Sequence, residues 1–396
     1  MLQKDPWLLP DGIEEILPEE ASYLESLRRN LLDMFACWGY QLVIPPFMDY
    51  LDSLLTGSGH DLELQTFKLT DQLTGRLLGV RADMTPQVAR IDAHNLRHLH
   101  PTRLCYEGTV LHTLGDALEK TRSPRQIGAE LYGHAGKESD LEIIQLMLEM
   151  LAIAGLQEVH LDLGHVGIYR ELSAQAGLTP HQETQLFEVL QRKAKTELLE
   201  LVESYPIADS DKTLLLALFE LNGDRQVLTK AQQLFANATD TVKQALADLQ
   251  AIADKLTVLF PSLPINFDLA ELRGYHYHTG VVFAAFVPSV GREIARGGRY
   301  DNIGKVFGRA RAATGFSADL KLLAALSQPS EIDDSASVIF APADEDNALF
   351  EKIRQLRAVG QIVIQQLPNQ VGDAHTLGCN AVLEKNNQHW LVKPLI

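Results

Sequence analysis

Apolar residues recur along the chain with two periods, about 3.6 and 2, and the switches between them divide it into helices and strands. Tyr23, Leu24, Leu27, Leu31, Met34 and Phe35 keep the helical period, and Gly39 just beyond them is a C-terminal stop. Tyr40 to Ile44 then reads as a strand, closed by Pro45 and Pro46, which cannot join a central ladder. Gln65 to Leu69 and Leu77 to Val80 flank Asp71-Gln72-Leu73-Thr74-Gly75, the pattern of a hairpin with a long turn. Strands are predicted at Arg103 to Val110, Arg125 to Tyr132 and Val159 to Leu163, with an apolar helix from Leu141 to Leu156 between the last two. From Ile168 to Phe260 the period is helical: it runs through Glu183 to Val202 and Thr213 to Leu221, and sets Val242, Leu246, Leu249, Ala253 and Leu256 on one face. That predicts a helical insertion over 168–260. Strands resume at Ile265 and continue through Phe283 and Ile294 to the Gly297-Gly298-Arg299-Tyr300-Asp301 turn. Residues 327–335, polar and carrying Pro329, read as a linker. Beyond it, Val338 to Phe340, a helix around Leu349 to Leu356, Ile362 to Ile364, Ala381 to Leu383 and Trp390 to Val392 predict a small α/β domain over 336–396.

Three extended stretches carry chemistry on one face each. In Leu272 to Phe283 alternation aligns Arg273, Tyr275, Tyr277 and Thr279; in Arg81 to Thr85 it aligns Arg81, Asp83 and Thr85. In Gln126 to Tyr132 it sets Gln126, Glu130 and Tyr132 against Ile127, Ala129 and Leu131. Two carboxylates, an amide, a hydroxyl, phenols and a guanidinium are the set an amino acid asks for, with carboxylates for its ammonium and an arginine for its carboxylate. The plain alternatives are a polar edge strand at 272–283 and a buried Glu130–Arg273 ion pair that binds nothing.

Composition narrows the classes. The 396 residues give a prior of two or three domains, and a net charge of -17 argues against a general grip on nucleic-acid phosphates. Cys37, Cys105 and Cys379 are scattered and without C-x-x-C spacing, which fits a reducing cytoplasm and neither a disulfide frame nor a zinc site. Lys4, Asp5, Pro6 and Pro10 stand where a signal peptide needs an apolar run, and Leu141 to Leu156 is too short and too charged to span a bilayer. We expect an unexported protein with no membrane span. His94 and His98, four apart, read as solvated helix histidines rather than metal ligands, and His276 and His278 as pocket or edge residues. Gly133 to Glu138 lacks the spacing and the Ser or Thr of a Walker A element, and Gly57-Ser58-Gly59 lacks the third glycine of a dinucleotide fingerprint. No cofactor is expected.

Over residues 1 to 326 the chain resembles the histidyl-tRNA synthetases. Arg273-Gly274-Tyr275-His276-Tyr277-His278-Thr279-Gly280 stands against their signature R-G-L-D-Y-Y-T-G, Asp83 and Thr85 match their R-P-E-G-T element, and Gln126 with Glu130 match the residues that take the ammonium. Tyr40 to Pro46 is similar to the first class II motif, which forms the dimer interface there, and Gly297 to Asp301 repeats G-G-R-Y-D. The fold this implies is α+β: a class II aminoacyl-tRNA synthetase-like antiparallel sheet flanked by helices, with the helical insertion and the small C-terminal domain. The resemblance implies a histidine-binding set of Asp83, Thr85, His112, Gln126, Glu130, Arg273, Tyr275, Tyr277, His278 and Tyr300.

The departures point away from catalysis. His112 stands where the second motif of the synthetases has an arginine on the ATP α-phosphate, and Leu322 where their third motif has another. If each arginine–phosphate contact contributes about 1.5 to 3 kcal/mol, losing both removes about 3 to 6 kcal/mol from nucleotide binding. The segment 336–396 has no lysine and arginine cluster and is shorter than the anticodon-binding domain of the synthetases, which implies no tRNA recognition; His278 replaces the tyrosine they place against the imidazole. A histidine pocket without ATP or tRNA machinery resembles the regulatory subunits of ATP phosphoribosyltransferase. That resemblance implies a non-catalytic subunit of histidine biosynthesis, homodimeric through its first motif within a hetero-oligomer. It would bind L-histidine, activate a short-form catalytic subunit and confer feedback inhibition. The rival is an active histidyl-tRNA synthetase in which Arg122 or Arg125 replaces the lost arginines.

Overall fold

A computed structural model describes residues 7–56, 60–115, 121–271, 274–275, 277–327, 337–387 and 389–395, and the chain folds as two compact units, Met1–Ser327 and Gln328–Ile396. In the first unit, α1 (Pro18–Cys37) buries Leu24, Leu27, Leu31, Met34 and Phe35. Its first-turn proline forfeits no helical hydrogen bond, and Glu19 and Glu20 sit where the helix dipole favours negative charge. After β1 (Gln41–Leu42) come β2 (Met48–Tyr50), α2 (Leu51–Leu55), α3 (His60–Gln65), β3 (Phe67–Thr70) and β4 (Leu77–Val80). The last two form the predicted hairpin, and β2 completes a small antiparallel sheet of order β2-β4-β3. The helix α4 (Thr85–Arg90) continues into a π-helical stretch, Ile91–Leu96.

The large sheet is built from β5 (Thr102–Thr109), β6 (Arg125–Tyr132), β7 (His160–His165), β8 (Asn222–Gly223), β9 (Ile265–Asp268), β10 (Val281–Phe286), β11 (Glu293–Arg299) and β12 (Ala313–Asp319), together with β1. Its order is β1-β5-β6-β12-β11-β10-β7-β9-β8. The centre is antiparallel, as expected; β1 with β5 and β7 with β9 are parallel. The helix α5 (Lys137–Ile153) packs on one face, and the insertion comprises α6 (Val166–Gln175), α7 (Pro180–Gln191), α8 (Lys195–Ser204), α9 (Asp209–Glu220), α10 (Gln226–Leu234) and α11 (Asp240–Leu259). The single helical pattern read over Glu183 to Val202 is two helices, because Lys193 takes a positive φ of 52° that ends the first. The helices α12 (Ile303–Val306) and α13 (Leu320–Leu326) complete the unit, and buried Ser327 hydrogen-bonds the carbonyl of Ala154 at 2.6 Å.

Alternation assigns the two faces of the sheet. Ile127, Ala129 and Leu131 of β6 and Cys105 of β5 enter the main core with α1, α5 and the insertion. Leu104, Tyr106 and Tyr132 face a smaller cluster with Met84, Val88 and Tyr300, and the functional residues lie on that side.

Two predicted strands fail. The described part of 272–280 is a turn, with Gly274 at φ 66° and the amides of Tyr277 and His278 both donating to the Gly274 carbonyl at 2.8 Å, so β10 starts only at Val281. Gly274 reaches that left-handed geometry without the clash a side chain would meet. Residues 81–84 are irregular and Thr85 opens α4, so Arg81 does not share a face with Asp83 and Thr85. Its guanidinium donates instead to the carbonyls of Pro45 (2.8 Å) and Thr109 (2.9 Å).

The second unit contains β13 (Val338–Ala341), α14 (Asn347–Ala358), β14 (Ile362–Gln365), β15 (Ala381–Asn386) and β16 (His389–Pro394), in a sheet of order β14-β13-β15-β16. Its own core gathers Ile339, Leu349, Ile353, Val363, Leu383 and Trp390. The linker residues from 328 onward, Gly57 to Gly59, Arg273 and His276 lie outside the described residues. Among the described residues no helix is long and apolar enough to cross a membrane.

Candidate functional site

The site is organised by Glu130, which leaves the middle of β6 on the minor-core face and is 1% exposed. Two glycines make room around it. Gly315 pairs with Glu130 across β12, where a Cβ would lie 1.6 Å from Glu130 Oε2, and Gly128 pairs with Tyr106, where a Cβ would lie 2.6 Å from the Tyr106 hydroxyl. Into that space the Tyr106 hydroxyl donates to Glu130 Oε1 at 3.0 Å, and the Tyr300 hydroxyl donates to Oε2. Thr85 Oγ1 lies 3.1 Å from the Tyr106 hydroxyl, and the Tyr132 hydroxyl 3.3 Å from that of Tyr300.

Beside this cluster, Gln126 fastens β6 to the loop before α4. Its Nε2 donates to Asp83 Oδ1 at 2.7 Å and its Oε1 accepts from the Met84 amide at 2.8 Å, while Asp83 Oδ1 also accepts from the Thr85 amide at 3.0 Å. Burial pushes the Glu130 carboxyl up to about 8, against the phenolic hydrogen bonds from Tyr300 and Tyr106 and with the help of the Asp83 charge. A buried acid held near neutrality by desolvation and a like charge is one that an incoming cation converts to its carboxylate.

The structure thus joins Asp83, Thr85, Gln126, Glu130 and Tyr300 in one network. Tyr277 adjoins it: its ring stacks on Tyr300 with centroids 4.8 Å apart, and its buried hydroxyl has no hydrogen-bond partner among the described residues. Burial, with the charges of Glu130 and Asp83, raises the Tyr277 phenol well above its ordinary value. His278 meets the Tyr277 ring edge-on and lies against Gly298 of β11, where a Cβ would come within 2.9 Å of the imidazole.

Tyr275 points elsewhere. The turn at Gly274 sends it away from the Tyr277 side, into the insertion, where it packs against Tyr169 and Phe187 and its hydroxyl donates to Glu183. His112 is also apart from the acid network. Its Nε2 lies 3.0 Å from the Ala82 carbonyl, and its backbone pairs with that of Arg122. Arg273 lies outside the described residues.

Tyr106 was not singled out from the sequence, although Leu104, Tyr106 and Gly108 alternate on β5 as Glu130 and Tyr132 do on β6. The signal was present, but which strand lies beside β6 was not. His94 hydrogen-bonds with Arg97, His98 stacks on His100, and the described residues hold no cluster able to bind a metal.

Leu322 on α13 packs against the main core. Arg125 is paired with Glu107 at 2.6 Å, and Arg122 donates to the carbonyls of His112 (3.0 Å) and Asp11 (3.3 Å) with its guanidinium over the Phe67 ring.

A sheet of this order, with a buried acid on its central strands and a helical insertion between β7 and β9, defines a class II synthetase-like protein. Residues 12–323 match the histidyl-tRNA synthetase family, and residues 336–393 match the ATP phosphoribosyltransferase subunit HisZ C-terminal domain. The chain belongs to the family of ATP phosphoribosyltransferase regulatory subunits. It is 58% identical to the one of Methylococcus capsulatus over 99% of this chain and 97% of that one, and 56% identical to the one of Thioalkalivibrio sulfidiphilus over 100% of both. Among solved structures it is similar to an ATP phosphoribosyltransferase regulatory subunit/histidyl-tRNA synthetase of Bacillus halodurans, with a TM-score of 0.84, 29% identity and coverage of 96% of this chain and 98% of that one. A histidyl-tRNA synthetase of Nostoc shares the fold, with a TM-score of 0.76 at 18% identity over 96% of this chain and 92% of that one.

Proposed function

We propose that this chain is the non-catalytic, histidine-sensing subunit of a cytoplasmic ATP phosphoribosyltransferase complex. It binds L-histidine beside Glu130, docks a short-form catalytic subunit that condenses ATP with phosphoribosyl pyrophosphate, activates that subunit and makes it sensitive to histidine. The observation that carries this reading is the buried polar network of Asp83–Gln126 and Glu130–Tyr300, in a chain that has His112 and Leu322 where the synthetases it resembles have arginines for ATP. The ligand's ammonium takes the two acids, and Tyr277 and His278 face its side chain. A feedback effect of this kind needs a coupling of about 1 to 3 kcal/mol between sites.

The rival, an active synthetase, needs a free guanidinium on the nucleotide side. Arg125 is committed to Glu107, and Arg122 to two backbone carbonyls. The net charge of -17 favours a protein partner over tRNA. A homodimer through the β1 region is favoured by Leu42 and Ile44, apolar and exposed at the edge of the large sheet.

The test is coexpression with a short-form catalytic subunit, followed by mass measurement, activity with and without histidine, and histidine-dependent pyrophosphate exchange. A complex activated by this chain and inhibited by histidine, without exchange, is the expected result. Exchange turnover, or calorimetry without histidine binding, would refute it.

A further inference from the structure

Tyr275 and Tyr277 are two residues apart, yet they face opposite parts of the protein. On the pocket side Tyr277 stacks on Tyr300, whose hydroxyl donates to Glu130. The Thr279 amide donates to the Arg299 carbonyl at 2.7 Å, and Thr279 Oγ1 accepts from the Asp301 amide at 3.0 Å, so this end of the turn follows β11. On the insertion side Tyr275 is 7% exposed, with its ring 5.3 Å from Tyr169 and 5.1 Å from Phe187. Its hydroxyl donates to the Glu183 carboxylate, and Tyr169 donates to the Glu183 carbonyl at 2.5 Å. Arg170 of α6 donates to the carbonyls of Tyr275 (2.9 Å) and His278 (3.2 Å), and its guanidinium lies 4.8 Å over the Tyr275 ring. The Val166 amide, at the start of α6, donates to the Gly280 carbonyl at 3.0 Å.

From this two-sided anchoring we infer that Tyr275, Arg170 and Glu183 form a relay that carries occupancy of the Glu130 pocket into helices α6 and α7 of the insertion. The inference rests on the histidine-binding reading above and names how that site is read out. A ligand that takes the open hydroxyl of Tyr277 or shifts its ring moves a turn only a few residues long. The carbonyls of Tyr275 and His278 belong to that turn, so Arg170 and α6 must follow or lose their hydrogen bonds. Tyr275 adds directionality: the leucine that the synthetase signature has at this position would fill the same apolar space but has no hydroxyl for Glu183, so its link to α7 would rest on packing alone. Tyr275 and Arg170 are in this scheme positioning residues, since they act through the turn.

The test uses the full chain with its catalytic partner, in wild type, Tyr275→Phe and Glu183→Leu. Three quantities are read: histidine affinity by calorimetry, histidine inhibition of the complex, and histidine-dependent protection of amides 166–191 from hydrogen exchange. The relay predicts that both variants keep histidine affinity within about threefold, lose the protection over 166–191, and need at least about tenfold more histidine for half-inhibition. Variants in which inhibition stays at wild-type concentrations, or falls only in step with affinity, would overturn it. Glu183→Leu removes the acceptor and keeps the Tyr275 ring, which guards against a packing defect around that ring. If the wild-type chain itself binds no histidine, the functional reading fails first, and that result is distinct from a responsive wild type with equally responsive variants.

Discussion

Replacing Glu130 with glutamine isolates the acid on which the site is built, and its effect on stability depends on pH in a direction that the structure fixes. The folded carboxyl is raised from 4.5 to about 8, chiefly by burial. In the unfolded chain the same group releases its proton near its ordinary value. Between those two values the native state therefore holds about one more proton than the unfolded chain, and stability falls as pH rises. One pH unit inside that window corresponds to about 1.4 kcal/mol, so moving from about pH 5.5 to about pH 7.5 costs the wild type at most about 2.7 kcal/mol through this residue. Glutamine cannot titrate and lacks the term. Urea unfolding of the full chain followed by circular dichroism, on both proteins at both pH values, gives the difference directly. Glu130→Gln is expected to gain stability relative to wild type by about 1 to 3 kcal/mol on going to the higher pH. Profiles that run parallel would refute the reasoning, since they would mean that Glu130 is ionised throughout and that its phenolic hydrogen bonds outweigh its burial.

The same protonation bears on the ligand. If an ammonium needs Glu130 as a carboxylate, histidine affinity should rise as pH increases toward 8, with the slope absent in Glu130→Gln; calorimetry in buffers of different ionisation heat would register the proton released. Gly315→Ala places a Cβ 1.6 Å from Glu130 Oε2 and 2.7 Å from the Ala129 carbonyl, so we expect a loss of about 2 kcal/mol or more in thermal or urea unfolding. Wild-type stability in that variant would show that β12 slides to make space. Arg299 is 6% exposed and reaches Asp140 at 2.9 Å, Ser139 at 2.8 Å and the Gly136 carbonyl at 3.1 Å. Arg299→Ala leaves the buried Asp140 unpaired and should cost about 3 to 5 kcal/mol, whereas a cost under about 1 kcal/mol would mean that water replaces the guanidinium.

The periodic parts of the chain were legible before any fold was known. Alternation on β6 gave Ile127, Ala129 and Leu131 to the core and Glu130 and Tyr132 to the other face, because a strand has no other way to dispose of its side chains. The helical period likewise announced α1 and the insertion, and Leu322 in place of an arginine needed only the order of residues to be seen. Tertiary structure decided what local periodicity cannot encode. A strand rule holds only while the backbone stays extended, and one glycine at positive φ was enough to divide Tyr275 from Tyr277 and send one into the insertion. Arg81 was turned toward the carbonyls of Pro45 and Thr109 by the start of a helix at Thr85. The pairing of β5 and β12 with β6, which brings Tyr106 and the open space of Gly315 to Glu130, joins residues far apart in the chain. The sequence by itself determined which residues are apolar, acidic or small at each step; only long-range pairing decided which of them meet, because that choice is made by burial summed over the whole sheet.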